Sequence, residues 1–100
     1  YKIVSQGIME FHLNNHARRR LKKLDRAIAK RILKKLAYWE KTKNPLRYAE
    51  RIEGAKDIFK YRIGNYRVLV YPDFDKKAII ILEIDNREHI YDPVILKKLS

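Results

Sequence analysis

Lys60, Arg62 and Arg67 are three cations that alternation places on one face of a short segment. Residues 59–71 read Phe-Lys-Tyr-Arg-Ile-Gly-Asn-Tyr-Arg-Val-Leu-Val-Tyr, with period two on either side of Gly64-Asn65. A two-residue loop of that kind closes a β-hairpin. Pairing Ile63 with Tyr66 sets Arg62 opposite Arg67, Tyr61 opposite Val68 and Lys60 opposite Leu69. Phe59, Tyr61, Ile63, Tyr66, Val68 and Val70 then form a core face, and the cations occupy the other. Like charges directly across a ladder are destabilising. A fold that collects them there implies an anionic partner, and a phosphate is the natural one.

The next strand must position a fourth cation. Ala78-Ile-Ile-Ile-Leu82 is a continuous apolar run, typical of a strand buried on both faces. Through the turn Pro72–Lys77 it should pair antiparallel with residues 66–71 and run to about residue 84. Its end then lies beside Arg67, with Arg87 just beyond and Tyr91 four residues later. Lys60, Arg62, Arg67 and Arg87 thus converge from three segments, on a register that a one-residue slip would invert.

The preceding elements supply the scaffold and most of the charge. Met9, Phe11 and Leu13 alternate with Glu10 and His12 as a first strand. A helix is expected over 15–24, capped by Asn14 or Asn15, and a second from an Asp25 cap to about Thr42, where Asn44-Pro45 stops it. Residues 46–58 read as an irregular connection containing Gly54, and Asp92-Pro93 opens a last short helix through Leu99. The predicted class is α+β: an N-terminal strand, a basic helical hairpin packed on an antiparallel sheet, and a short C-terminal helix. Met9 is the only methionine, so residues 1–8 read as an upstream extension or an expression remnant, although Tyr-Lys-Ile-Val is itself strand-like.

One hundred residues, 46% apolar, make a single domain spanning 1–100 with a sizeable core. The absence of cysteine excludes disulfides, thiolate metal sites and a cysteine nucleophile. His12, His16 and His89 lack metal-ligand spacing and read as structural or exposed, so neither metal nor cofactor is expected. With neither a signal segment nor a long apolar stretch, the expected setting is soluble, cytoplasmic and away from membranes. The net charge of +12 favours a polyanionic partner. Residues 16–35 hold ten of the basic residues against one acid, Asp25. Leu21, Leu24, Ile28, Ile32, Leu36 and Trp39 recur there at amphipathic helix spacing. The cations Arg18, Arg19, Lys22, Lys23, Arg26, Lys30 and Lys34 therefore face outward, either simply solvated or docking on an RNA backbone.

These pieces together resemble the RelE/ParE toxin superfamily, and RelE-type messenger-RNA interferases in particular. The resemblance rests on Arg-Arg-Leu-Lys-Lys-Leu-Asp (19–25), Ala-Lys-Arg-Ile (29–32), Asn-Pro (44–45), Phe-Lys-Tyr-Arg-Ile-Gly-Asn-Tyr-Arg-Val-Leu (59–69), the isoleucine-rich strand and Arg-x-x-x-Tyr (87–91). It implies the toxin of a type II toxin–antitoxin system that enters the ribosomal A site, cuts messenger RNA there, and is held inactive by an acidic, RelB-like antitoxin. Carried across, the functional cations fall on Lys60, Arg62, Arg67 and Arg87, and the functional tyrosine on Tyr91. Where members often place histidine before the late arginine, this chain has Asp85-Asn86, which argues against a histidine-dependent chemistry.

Cleavage by 2′-hydroxyl attack needs a proton acceptor, stabilisation of the phosphorane and a proton for the leaving 5′-oxygen. Lysine among cations releases its proton more readily, which makes Lys60 the candidate base. Arginine stays protonated, so Arg62, Arg67 and Arg87 read as phosphate clamps, and Tyr91 as a platform for a splayed base or packing under the last helix. Two other functions fit the same sequence: a ParE-type gyrase poison, and a basic RNA-binding module without catalysis. The first needs no such cation set. The second normally displays aromatics on its sheet, whereas Phe59, Tyr61 and Tyr66 fall on the predicted core face.

Overall fold

In the computed structural model, which describes residues 9–86, the chain runs β1 (Glu10–Leu13), α1 (Asn15–Lys23), α2 (Arg26–Glu40), a 3₁₀ turn (Pro45–Tyr48), β2 (Glu50–Arg51), β3 (Phe59–Ile63), β4 (Tyr66–Asp73) and β5 (Ala78–Asn86). The sheet order is β1-β5-β4-β3-β2. Both helices begin where short polar side chains can accept a backbone bond. Asn14 Oδ1 accepts from the Ala17 N–H at 2.7 Å and Asp25 Oδ2 from the Ala27 N–H at 3.1 Å, caps worth about 1 kcal/mol each.

The hairpin forms in the register that alternation predicts: Ile63 with Tyr66, Arg62 with Arg67, Tyr61 with Val68 and Lys60 with Leu69. Gly64 has φ +61 and Asn65 is not left-handed, the arrangement of a type II′ turn with glycine first. The helices cover one face of the sheet. Ile32, Leu36 and Trp39 of α2 and Ala17 of α1 pack there with Tyr61, Ile63, Val68, Val70, Ile79, Ile81 and Ile84. At the centre, the Tyr61 ring stacks on Trp39 at 4.5 Å between centroids and its hydroxyl donates to the buried Pro45 carbonyl at 2.8 Å. Phe11 meets the same ring edge-on. Burial pushes the Tyr61 phenol well above its ordinary value.

Three expectations change. The sheet is not wholly antiparallel, because β1 lies parallel to β5. That direction delivers the chain at Leu13 towards the C-terminal half of β5, whose edge β1 leaves uncovered and α1 then follows. Residues 46–58 are not merely irregular. They include the 3₁₀ turn and β2, and Ile52, Ala55 and Ile58 form a second small core against Leu69 and Leu82. Lastly, β5 extends to Asn86 rather than stopping near residue 84, and a β-bulge interrupts its pairing between Leu69 and Val70. The C-terminal helix expected through Leu99, Arg87, Tyr91, and residues 1–8 lie outside the described residues. No helix among those described is long and apolar enough to cross a membrane, and no group of His, Asp and Glu there could hold a metal.

Candidate functional site

Lys60, Arg62 and Arg67 share the sheet face opposite the helices, since their cross-strand and alternating neighbours Tyr61, Ile63 and Val68 all point into the helix-side core. The expectation that this face lies beside the end of the next strand is met. Arg67 pairs with Asp85, and Tyr66 with Asn86, the residue preceding Arg87.

Two features of their surroundings bear on their expected role. Arg67 is not exposed: it is only 6% accessible. Its guanidinium folds back along the strand, and Nη1 donates to the carbonyls of Gly64 (3.3 Å) and Tyr66 (3.1 Å) rather than standing into solvent. Nε is buried with no hydrogen-bond partner among the described residues. Second, Lys60 does not sit among cations alone. Glu50 on β2 reaches across the edge, its Oε1 3.1 Å from Arg62 Nε and its Oε2 3.9 Å from Lys60 Nζ. No sequence signal marked Glu50, because a two-residue strand inside a loop has no periodicity to read.

The acids of β5 are committed elsewhere. Glu83 and Asp85 are 5% and 8% accessible, and both are held by α1. His16 Nε2 lies 2.7 Å from Glu83 Oε2, and Arg20 bridges the two carboxylates, Nη2 to Asp85 at 2.6 Å and Nε to Glu83 at 3.5 Å. Arg20 Nε also donates to the Ile84 carbonyl. A backbone N–H also donates to each: Ile84 to Glu83, and Asn86 to Asp85. His16, expected to be structural or exposed, is half-exposed and tied to Glu83. The alternation of Glu83 and Asp85 about Ile84 was the available signal that β5 runs on, since acids two apart on a strand share a face.

Seven cations of the helices, Arg18, Arg19, Lys22, Lys23, Arg26, Lys30 and Lys34, are all exposed. They sit on helices that pack on the opposite face of the sheet from the hairpin cations. Arg31 of α2 comes near the hairpin turn, its guanidinium packed against Gly64.

The fold, two helices on one face of a five-stranded sheet, is one that known proteins share. A chain of the RelBE2 toxin–antitoxin complex of Mycobacterium tuberculosis is 31% identical, with a TM-score of 0.63 over 78% of this chain and 96% of that one. A mutant of the Escherichia coli toxin RelE in the free state has a TM-score of 0.68 at 13% identity, over 89% and 90% of the two chains. A chain of the archaeal RelE–RelB complex of Pyrococcus horikoshii has a TM-score of 0.60 at 24% identity, over 81% and 94%. These last two speak to fold alone. No curated protein matches the sequence. The family described as "ParE toxin of type II toxin-antitoxin system, parDE" matches residues 11–91, nearly the whole described molecule and its cationic hairpin with it. The chain therefore belongs to that family of type II toxins, within the RelE/ParE superfamily.

Proposed function

We propose that this toxin is a ribosome-dependent endoribonuclease that cuts messenger RNA in the A site, restrained by an acidic, RelB-like antitoxin. The observation that carries the reading is the state of Arg67: a nearly buried guanidinium with an unpartnered Nε and no carboxylate among its described partners. A buried cation without a counter-charge is costly, and a phosphate oxygen would satisfy it. A toxin that only bound a protein surface would have no use for that arrangement.

In this mechanism the 2′-hydroxyl attacks the adjacent phosphorus, and its proton passes to an acceptor on the same face. The phosphorane's added charge falls to Arg67 and Arg62, with Arg87 joining them as the resemblance implies. The 5′-oxygen departs with a proton taken from solvent water, leaving a cyclic phosphate on the upstream fragment. Lys60 is the acceptor first implied. Glu50 is a second, since its exposed carboxylate stands between Lys60 and Arg62. Tyr91 would stack on a displaced base, and the exposed helical cations would meet the ribosomal RNA backbone.

The test is a purified translation reaction with a defined message, read by primer extension. Wild-type toxin should cut the translated message. Arg67→Ala should lose about 10²–10³ in rate, the scale of removing one donor to a developing anion, with its circular dichroism unchanged. Lys60→Arg and Glu50→Gln assign the proton acceptor, since only the true one should be intolerant. An intact message together with inhibited gyrase supercoiling would replace this reading with the ParE-type one.

A further inference from the structure

Arg67 and Asp85 stand directly opposite each other on β4 and β5. Residues so placed share a face, with Cβ atoms about 5 Å apart, well within reach of an ion pair. Yet no bond joins Arg67 to Asp85, and Asp85 Oδ2 is instead 2.6 Å from Arg20 Nη2 on α1. Arg20 is one of the four cations among residues 18–22, but the others, Arg18, Arg19 and Lys22, are exposed while Arg20 turns inward over the open edge of β5. Its planar fork spans Asp85, Glu83 and the Ile84 carbonyl between them. A lysine's single ammonium could not span that set.

We infer that Arg20 is a positioning residue for the cleavage site: by holding Asp85 away from Arg67, it keeps the Arg67 guanidinium available to a substrate phosphate. Asp85 is the acid best placed to neutralise Arg67, and α1 removes it from competition. Glu83, one register pair further on opposite Leu69, is withdrawn in the same way by Arg20 and His16. Without Arg20, Asp85 loses its ion pair with α1 and turns to Arg67 directly opposite, and the hairpin loses its phosphate clamp without losing a single hairpin residue.

This inference rests on the nuclease reading, and the experiment separates the two. Arg20→Ala should cut message about 10²-fold more slowly, as if the Arg67 donor itself were lost. Arg20→Ala/Asp85→Asn should recover most of the rate, because the competing carboxylate is gone, and Asp85→Asn alone should cut like wild type. A solely structural Arg20 would give no such recovery. A second readout needs no activity: the Arg67 Nε–Hε proton, followed by NMR, should shift in Arg20→Ala as it pairs with Asp85 and return to its wild-type position in the double variant. If Arg20→Ala fails to fold, Arg20→Lys gives the same comparison, with a smaller loss that Asp85→Asn again relieves. Cleavage by Arg20→Ala at the wild-type rate, an unrescued double variant, or an unmoved Arg67 signal would each overturn the assignment. If wild-type toxin cuts nothing, the nuclease reading falls, while the NMR comparison still decides whether Arg20 keeps Asp85 from Arg67.

Discussion

Tyr61 shows how one residue can be fully legible in type and only partly in role. Alternation put it on the core face, and it is wholly buried there. What alternation did not give is the hydroxyl's partner, the carbonyl of Pro45 sixteen positions earlier. That bond pins the 3₁₀ turn to the sheet beside the Trp39 ring, on which Tyr48 also stacks. Removing the hydroxyl in Tyr61→Phe takes one bond from the buried Pro45 carbonyl and should cost about 0.5–1.5 kcal/mol at neutral pH. The pH dependence follows from the raised phenol. The folded chain keeps the proton where the unfolded chain, with an ordinary value near 10, gives it up. The stability is therefore complete below about pH 10 and declines as pH rises past it, by up to about 1.4 kcal/mol per unit. Urea unfolding at pH 7 and pH 11 should show the wild-type advantage over Tyr61→Phe shrinking at the higher pH. A constant gap would mean that Tyr61 is not held protonated by the fold.

Among elements, the hairpin is local and the bulge is not. Gly64 supplies the one positive φ that the II′ turn requires, and this turn together with the core face sets the register that groups Lys60, Arg62 and Arg67. An added Cβ there would be strained by φ and would meet the Arg31 guanidinium at 3.1 Å. The arginine is flexible and can move, so the backbone term dominates. Gly64→Ala should cost about 1–2 kcal/mol with the register unchanged, measured by urea unfolding and by the cross-strand NMR contacts of Tyr61 with Val68. A shifted register would mean that the core face, and not the turn, is too weak to specify pairing. The bulge acts in the opposite direction. Ile79 and Ile81 face the helices, and strict alternation would send Glu83 and Asp85 after them. The extra residue at Leu82 turns Glu83 and Asp85 to the cationic face and gives Ile84 to the core.

Across the whole molecule, charge divides into two territories separated by the sheet. The exposed helical cations make one broad positive surface, and the hairpin cations a smaller one on the far side. A surface of that kind steers an acidic partner over distance. Association with the cognate antitoxin should therefore slow by about tenfold or more between 0.05 and 0.5 M salt, measured by stopped-flow. Lys30→Glu/Lys34→Glu should lower the rate further at low salt and flatten its salt dependence. A rate indifferent to salt, or a partner recovered from the native host that is neutral or basic, would show that the charge serves another contact.

The sequence by itself determined whatever depends on near neighbours along the chain. Period-two alternation around Gly64 defines the hairpin and its cationic face. Apolar residues at helical spacing between Leu21 and Trp39, opened by Asn14 or Asn15 and by Asp25, define α1 and α2 and turn most of their cations outward. These are short-range consequences of backbone geometry and of the cost of burying charge. Tertiary structure decided what depends on residues far apart in sequence. The parallel docking of β1 on β5 opened an edge for α1, which let Arg20 and His16 reach Glu83 and Asp85 across more than sixty positions. The pairing of β2 with β3 brought Glu50 to Lys60 and Arg62. The bulge chose which side of β5 carries the acids. A local pattern cannot encode such choices, because each one is fixed only when two separate segments compete for the same partner.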